Sequence, residues 1–520
     1  YKIISLLVSR FGHTESFKLY AEAVLAKLGN FPALKYLEES MQVHDTLPIE
    51  REIDKNIKQD VQQTSNGRNT FTDAQYKIRQ RLEKYDFFSF SGPTSIGKTF
   101  ILTDYIRYLL KHGDSNSGAI VILVPTRALI SQVAHDLRNE VDKSDINVAT
   151  HPILTNYVLK RYKRNIFVFT PERLLSYVAK NTLRVQYLFV DEAQKIVAPN
   201  DSRSSLYYHA IYETIRRFAT KIYFASPNIP NPDIFLKLFE KDQTGSLAIH
   251  EQTVAQNRFF LDLENKKLSF FSDFGDEEVV QGYEFGSNHN QILKEIGGVD
   301  NNLVYCNGVS ETVRRAKAFA QVLEPVKVTS ELRELLGFIA EYVHKEYYLI
   351  ECLKKGVAFH HGKMPQQVRA RVEEFFGDKG SSLRYVFCTS TLLEGVNMPA
   401  KNIFVLSDKH GRSDFENIDF ENLIGRAGRL TKEFSGNVIC VKDDVRRWNK
   451  GTDLIKKKQL ADVDSFLVTK NNRKSKEFKG IANALNEKAL PSSLKAGEKE
   501  NIIHYASIVL LHHIDNDGSV

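Results

Sequence analysis

The sequence predicts an α/β protein of two tandem parallel-sheet lobes, with a helical segment before them and a short extension after them. Three observations predict it. Short apolar runs of strand length alternate with amphipathic helical stretches from about residue 71 onward. That texture lapses between 262 and 300 and then resumes, which marks two lobes rather than one. A length of 520 residues also exceeds what one hydrophobic core usually serves.

Residues 1–70 are expected to be helical and then polar. Apolar residues recur at helical spacing in "ESFKLYAEAVLAKLGNFPALKYLEESM", punctuated by Gly29-Asn30. "QQTSNGRNT", 62–70, has the composition of a linker. The first lobe, 71–260, carries the strands "FFSFSG", "AIVILVP", "NIFVFTP", "QYLFVDE" and "KIYFASP". Runs so continuously apolar suit strands covered on both faces by helices. The charged stretch 262–300 is taken as a crossover. The second lobe, 261–445, then supplies "NNLVYCNG", "GVAFHHG", "RYVFCTS", "NIFVLSD" and "NVICVKD". The extension 446–520 is basic at "RRWNK" and "IKKKQ" and helical afterwards.

Composition narrows the class. Hydrophobic residues at 42% and charged residues at 26% are ordinary for a globular protein. A net charge of +7 permits a polyanionic partner without requiring one. The four cysteines, Cys306, Cys352, Cys388 and Cys440, form no C-x-x-C pair, which argues against a zinc knuckle or a disulfide framework. Free buried thiols in a reducing cytoplasm are expected. The longest apolar runs, such as "GAIVILV", are too short to span a bilayer. The chain opens on Tyr1 rather than Met, so it is expected to be a piece of a longer one.

"SFSGPTSIGKTF", 89–100, follows an apolar strand and precedes the helical "ILTDYIRYLLK". It fits G-x-x-x-x-G-K-[ST] with Gly92, Pro93, Thr94, Ser95, Ile96, Gly97, Lys98 and Thr99. Backbone N–H groups of such a loop cradle phosphates at a helix N-terminus. Lys98 would reach the β- and γ-phosphates of ATP, and Thr99 would hold Mg²⁺. The competing reading is a chance glycine turn, which the strand–loop–helix context disfavours. "YLFVDEAQ", 187–194, ends a strand in Asp191-Glu192. Asp191 would hold the Mg²⁺, directly or through water, and Glu192 would polarise the attacking water. Upstream, Gln75 offers an amide for an adenine edge and Phe71 a ring to cover the base. Taken alone, Gln75 is more simply a surface glutamine.

These blocks together resemble the DEAD/DEAH-box helicases of superfamily 2, closest in texture to the superkiller-like DExH branch. The resemblance covers about 71–445. It runs through "FTDAQ", "GPTSIGKT", "VPTRALISQ", "FTPERL", "VDEAQ", "FASPNIPNP", "LVYCNG", "AFHHGKMP", "TSTLLEGVNMPAKNIFV" and "NLIGRAGR". The resemblance implies two RecA-like lobes with ATP between them. It makes Lys98, Asp191, Glu192 and Gln194 catalytic in the first lobe and Arg426 and Arg429 arginine fingers from the second. Gly395 and Asn397 would line the nucleotide. Pro125, Thr126, Arg127, Thr170, Pro171, Glu172 and Arg173, with Thr389 and Thr391 in the second lobe, would grip a DNA or RNA strand by its phosphates. For any single threonine among them a helix cap is the plainer reading. "LKRYKRN", 159–165, fits a strand-tracking patch or a solvated face equally. His360-His361 lacks a third ligand at metal spacing.

Three departures from the family pattern stand out. Ser226-Pro227-Asn228 replaces Ser-Ala-Thr, which puts the coupling of hydrolysis to strand separation in doubt. Gln194 stands where the branch often has His, and Asn422 where Gln is usual. The leading expectation is an ATP-dependent helicase or translocase. The alternative is an ATP-gated sensor that signals to a protein partner, as helicases do beside nucleases in Hachiman-type bacterial antiviral defence. About 75 residues follow position 445, room for a winged-helix fragment at most.

Overall fold

The computed structural model describes the chain apart from residues 42–46, 114–117, 181–182, 199–200, 202, 252–253, 273–275, 285, 287, 379, 391–397, 412, 429–433, 444–447, 450, 457–461, 464–475, 495 and 515–520. It divides into two compact units, one of residues 1–73, 94–96 and 252–460, the other of 74–93, 97–251 and 461–520.

The chain begins with helices α1 (Lys2–Phe11), α2 (Glu15–Lys27), α3 (Phe31–Met41) and α4 (Ile49–Val61). Gln63 and Thr70 then form an antiparallel bridge, and the Thr64 hydroxyl donates to Asn69 O at 3.0 Å. The expected linker is therefore an ordered turn.

The first sheet has seven strands, β1 (Phe87–Ser91), β2 (Ala119–Leu123), β3 (Ile146–Ala149), β4 (Arg164–Phe169), β5 (Val185–Val190), β6 (Lys221–Ser226) and β7 (Ser246–Ala248). Their order is β3-β4-β2-β5-β6-β1-β7, and every pairing is parallel. Strand β2, AIVIL, is buried along its whole length, as a strand covered on both faces must be. The covering helices include α5 (Asp73–Lys84), α6 (Lys98–His112), α7 (Arg127–Glu140), α9 (Pro171–Lys180) and α10 (Ser204–Arg217), whereas α8 (Asn156–Arg161) buries none of its residues. Because all strands point one way, the loops after β4, β2, β5, β6 and β1 share the carboxyl edge of the sheet, where α/β proteins place ligands.

The second sheet has strands β8 (Ala255–Asp262), β9 (Lys267–Phe271), β10 (Glu277–Val279), β11 (Asn302–Tyr305), β12 (Val357–His360), β13 (Tyr385–Cys388) and β14 (Asn402–Val405), and then, past a small ribbon of β15 (Lys409–His410) and β16 (Ser413–Asp414), β17 (Ser435–Lys442). The order is β10-β9-β8-β17-β14-β11-β13-β12. This corrects two expectations. Strand β8 pairs with β17 along its full length, so the second lobe starts before 260. The supposed crossover 262–300 contributes β9 and β10, an antiparallel extension of the same sheet. Polar Gln256, Asn257 and Arg258 inside β8 broke the apolar run that signals a strand.

Those polar residues have partners. Asn257, Asn437, Asn402 and Asn302 lie in register on adjacent strands. Asn257 Nδ2 donates to Asn437 Oδ1 at 3.0 Å, Asn437 Nδ2 to Asn402 Oδ1 at 2.8 Å, and Asn402 Nδ2 to Asn302 Oδ1 at 2.8 Å. Asn302 Nδ2 ends the ladder on Asp300 O at 2.6 Å.

Helices α1–α3 bury Ile4, Phe17, Leu25, Phe31, Leu34 and Leu37 in a core completed by Phe434, just before β17. The Tyr36 ring meets the Phe434 ring edge-on at 5.0 Å, and the Lys2 ammonium lies 5.6 Å from the Phe270 centroid. At the other end of the chain, helix Ala496–Ile514 packs on α10, with Tyr505 against Tyr208 at 6.5 Å.

Candidate functional site

The glycine loop after β1 leaves the sheet through Gly92, whose N–H donates to Ser226 O at the end of β6 at 3.3 Å. Thr94–Ile96 make one tight turn. Gly97 follows at φ +75°, a left-handed conformation that costs glycine nothing and aims the first N–H groups of α6 into the loop. Lys98, the first residue of α6, is buried, and its ammonium donates to Gly92 O at 3.1 Å and Pro93 O at 3.4 Å. A cation thus sits in the loop at the N-terminus of α6, where the first N–H groups of a helix lack intrahelical partners, an arrangement that fits a polyphosphate.

Asp191 and Glu192 end β5, one strand beyond β6. The Thr99 hydroxyl donates to Asp191 Oδ2 at 3.3 Å. Burial and the neighbouring Glu192 carboxylate push the Asp191 carboxyl up to about 6, against the pull of Lys98. A cation would relieve that crowding. An alcohol and a carboxylate are the hard oxygens that Mg²⁺ selects, so the donor set fits it. Glu192 adopts φ 56°, a strained setting for a residue with a Cβ, and accepts from Gln194 Nε2 at 2.5 Å. Gln194 therefore orients the glutamate within the first lobe.

Gln75 is buried, and a Cβ built on Gly97 would lie 3.4 Å from its Nε2, so the Gln75 amide adjoins the glycine loop. A network the sequence reading missed keeps it there. Arg79 of α5 reaches Asp104 of α6 at 3.4 Å while stacking over Tyr105 and Tyr108, and Arg107 holds the other Asp104 oxygen at 2.9 Å. Phe71 is buried, with its N–H on Gln62 O at 2.8 Å.

The strand-gripping candidates fall on the loops after β2 and β4. Arg127 is exposed, whereas Pro125, Thr170 and Pro171 are buried. Thr126 accepts from Leu129 N at 3.3 Å, the helix cap that was its plainer reading. Arg173 Nη1 donates to Thr150 O at 2.6 Å, so that nitrogen ties its loop to the one after β3. Glu172 is held by Arg203, another residue the sequence reading missed, at 3.1 Å. Burial alone would raise the Glu172 carboxyl, but Thr170, its own backbone N–H and Arg203 draw it below the usual range. Within "LKRYKRN" Lys160, Arg161 and Lys163 are exposed, Tyr162 and Arg164 half-buried, and Asn165, already in β4, buried.

In the second sheet, Thr389 is buried behind β13, its N–H on His360 O at 3.3 Å. His360 is fully buried, with Nε2 2.7 Å from Glu373, and burial and His360 lower the neighbouring His361. No group of three or more His, Cys, Asp or Glu among the described residues could hold a metal. Arg426 follows helix Asn417–Ile424. That helix is pinned by Arg258 of β8, whose guanidinium grips both Glu421 oxygens at 2.8 and 2.9 Å, and by Gln256 Nε2 on Ile424 O at 3.0 Å. Gly428, at φ +82°, lies so close to Gly436 that a Cβ on Gly436 would strike the Ala427-Gly428 backbone, while one on Gly428 would strike the Val254 side chain. Arg429, Thr391, Gly395 and Asn397 fall outside the described residues. All four cysteines are free and buried, and no described helix is long and apolar enough to cross a membrane.

Residues 66–227 match the family model of the DEAD/DEAH box helicases, and 302–431 match the helicase conserved C-terminal domain. The chain is similar to the ATP-dependent DNA helicase Hel308 of Methanococcus vannielii, at 23% identity over 70% of this chain and 50% of that protein. It is similar to the Hachiman protein HamB of Bacillus cereus, at 23% over 70% of this chain and 36% of HamB. It is also similar to the DExH-box ATP-dependent RNA helicase DExH13 of Arabidopsis thaliana, at 24% over 69% of this chain and 17% of that protein. The matched region spans half or less of each of these relatives.

Proposed function

The chain belongs to the DEAD/DEAH box helicases of superfamily 2, and from that premise we propose that it hydrolyses ATP to move along, or clamp, a DNA or RNA strand. The observation that carries the proposal is the single sheet edge shared by the glycine loop, the Asp191-Glu192 pair and the first turns of α7 and α9, which bear Arg127 and Arg173. ATP would supply the transferable phosphoryl group, and Mg²⁺, when bound, would supply charge screening. Lys98 and the N–H groups of α6 would bind and orient the phosphates, Thr99 and Asp191 would hold the metal, and Glu192, steadied by Gln194, would take a proton from the attacking water. On the family resemblance we assign Arg426 and Arg429 the role of arginine fingers that would offset charge on the transferring phosphoryl group.

A second reading has its own support. Pro227 in the motif after β6 removes a backbone donor, Ser226 O receives the Gly92 N–H of the phosphate loop, and HamB is among the relatives. On this reading ATP and nucleic acid gate a signal to a protein partner without processive unwinding.

ATP turnover measured alone and with single-stranded RNA, single-stranded DNA and each duplex, at fixed salt, tests both. Stimulation accompanied by strand separation supports the motor. Stimulation without separation supports the gated clamp. Unstimulated turnover by every polymer overturns the nucleic-acid assignment. Glu192→Gln should cut turnover roughly 10²–10⁴-fold while leaving ATP bound.

A further inference from the structure

We propose that Arg203 is a positioning residue that sets the spacing of the two strand-gripping loops of the first lobe, and that helix Ala496–Ile514 holds Arg203 in place through Asn501. The proposal rests on the strand-binding reading above.

The Arg203 guanidinium joins both loops at once. Its Nη1 donates to Pro125 O, in the loop after β2, at 2.6 Å. Its Nε and Nη2 donate to the Glu172 oxygens, in the first turn of α9 after β4, at 3.1 and 3.3 Å. One planar fork thus satisfies a carbonyl and a carboxylate whose strands are neighbours in the sheet. A lysine ammonium, a point charge without the planar fork, cannot reproduce these three directed bonds. Arg127 lies two residues beyond Pro125, and Arg173 lies one beyond Glu172, so the spacing of these two cations follows the fork.

The turn that carries Arg203 is itself clasped. The Arg203 N–H donates to Asp201 Oδ1 at 3.0 Å, and Asp201 Oδ2 lies 3.6 Å from Lys195, in the turn that follows Asp191-Glu192. Asn501 Nδ2 donates to Asp201 O at 2.7 Å. Its Oδ1 accepts from Ser205 N at 3.4 Å and Ser205 Oγ at 3.2 Å. The amide therefore grips the chain on both sides of Arg203. Asn501 is 7% exposed and Ser205 fully buried, so these bonds form away from water. Arg203 and Glu172 are themselves 35% and 50% exposed, and such a pair adds little stability. Its role is geometric, and the last described helix becomes part of the grip.

Binding of fluorescein-labelled oligo-dT and oligo-U to the whole chain, titrated across salt concentrations, tests this. Arg203→Ala and Asn501→Ala should each weaken binding about tenfold while the slope of log affinity on log salt stays at the wild-type value, because no phosphate contact is lost. Arg127→Ala should lower that slope by about 0.7. Arg203→Lys should not rescue, since charge alone does not restore the fork. Unchanged affinity in Arg203→Ala overturns the proposal, as does a slope that falls by about 0.7, which would make Arg203 a phosphate ligand. Rescue by Arg203→Lys does the same. A wild-type chain that binds neither oligonucleotide overturns the strand-binding reading instead. Should Asn501→Ala unfold, Ser205→Ala, which removes one hydroxyl, takes its place and is expected to weaken binding in the same direction.

Discussion

Thr99 donates its hydroxyl to Asp191 Oδ2 across 3.3 Å, joining the first turn of α6 to the end of β5 over 92 residues of sequence. The pair supplies hard oxygens, yet the described residues form no metal cage of their own. Chelation with EDTA should therefore abolish ATP turnover and leave the thermal midpoint of the nucleotide-free protein unchanged. A fall in that midpoint would reveal a structural metal. Asp191→Asn should lower turnover roughly 10²–10³-fold, the scale of losing one preorganised electrostatic contact.

Arg258 is 4% exposed, and Glu421 holds two of its nitrogens. Glu421→Ala strands a buried guanidinium, so it should cost about 3 kcal/mol in the second lobe. Turnover should fall as well, because the helix that precedes Arg426 loses its anchor. The double variant Arg258→Met/Glu421→Leu should recover much of the stability but not the turnover. Thermal unfolding and steady-state kinetics on the two variants separate these effects.

Asn402 stands inside the amide ladder, accepting from Asn437 and donating to Asn302. Asn402→Leu leaves an unpaired donor on one side and an unpaired acceptor on the other. Each orphan costs about 1–3 kcal/mol, so the change should be among the most disruptive single substitutions in that sheet. Amide exchange in β11, β14 and β17 should quicken together. Unchanged protection there would mean the ladder is incidental to register.

Asp443 accepts from Arg315 at 2.9 Å and lies 3.1 Å from His289. Burial alone would raise its carboxyl, but His289 and Arg315 hold it well below the usual carboxylate range. The folded value lies below the unfolded value of about 3.9, so the stabilisation is complete above that pH and fades as the pH falls beneath it. Asp443→Asn should lower the thermal midpoint at neutral pH by several degrees, and the gap to wild type should close below about pH 3.9. A gap that persists in acid would assign the effect to packing.

The glycine loop and the acidic pair were legible because their signals are local: Gly97, Lys98 and Thr99 are contiguous, and Asp191-Glu192 follows an apolar strand. Both lobes were legible for the same reason, since strands buried on two faces announce themselves. What escaped depends on distance. Arg203 looks like any surface arginine until Pro125 and Glu172 are brought to it. Strand β8 was misplaced because Gln256, Asn257 and Arg258 interrupt its apolar pattern, and each is satisfied by a residue well over a hundred positions away. Period-two reasoning cannot see partners of that kind.

Among the described residues, the core of α1–α3 takes in Phe434 from just before β17. On a ribosome adding about 5–20 residues per second, roughly 400 residues separate Phe31 from that partner, a wait of some 20–80 seconds. During it the apolar faces of Phe17, Leu25 and Leu34 stand open while the first sheet is made and folded between them and their destination. The order of synthesis thus runs against the order of assembly. Holdase chaperones have their longest opportunity on the opening helices, and ribosome-bound chains stalled before Phe434 should be the ones most readily cut by protease within α1–α3.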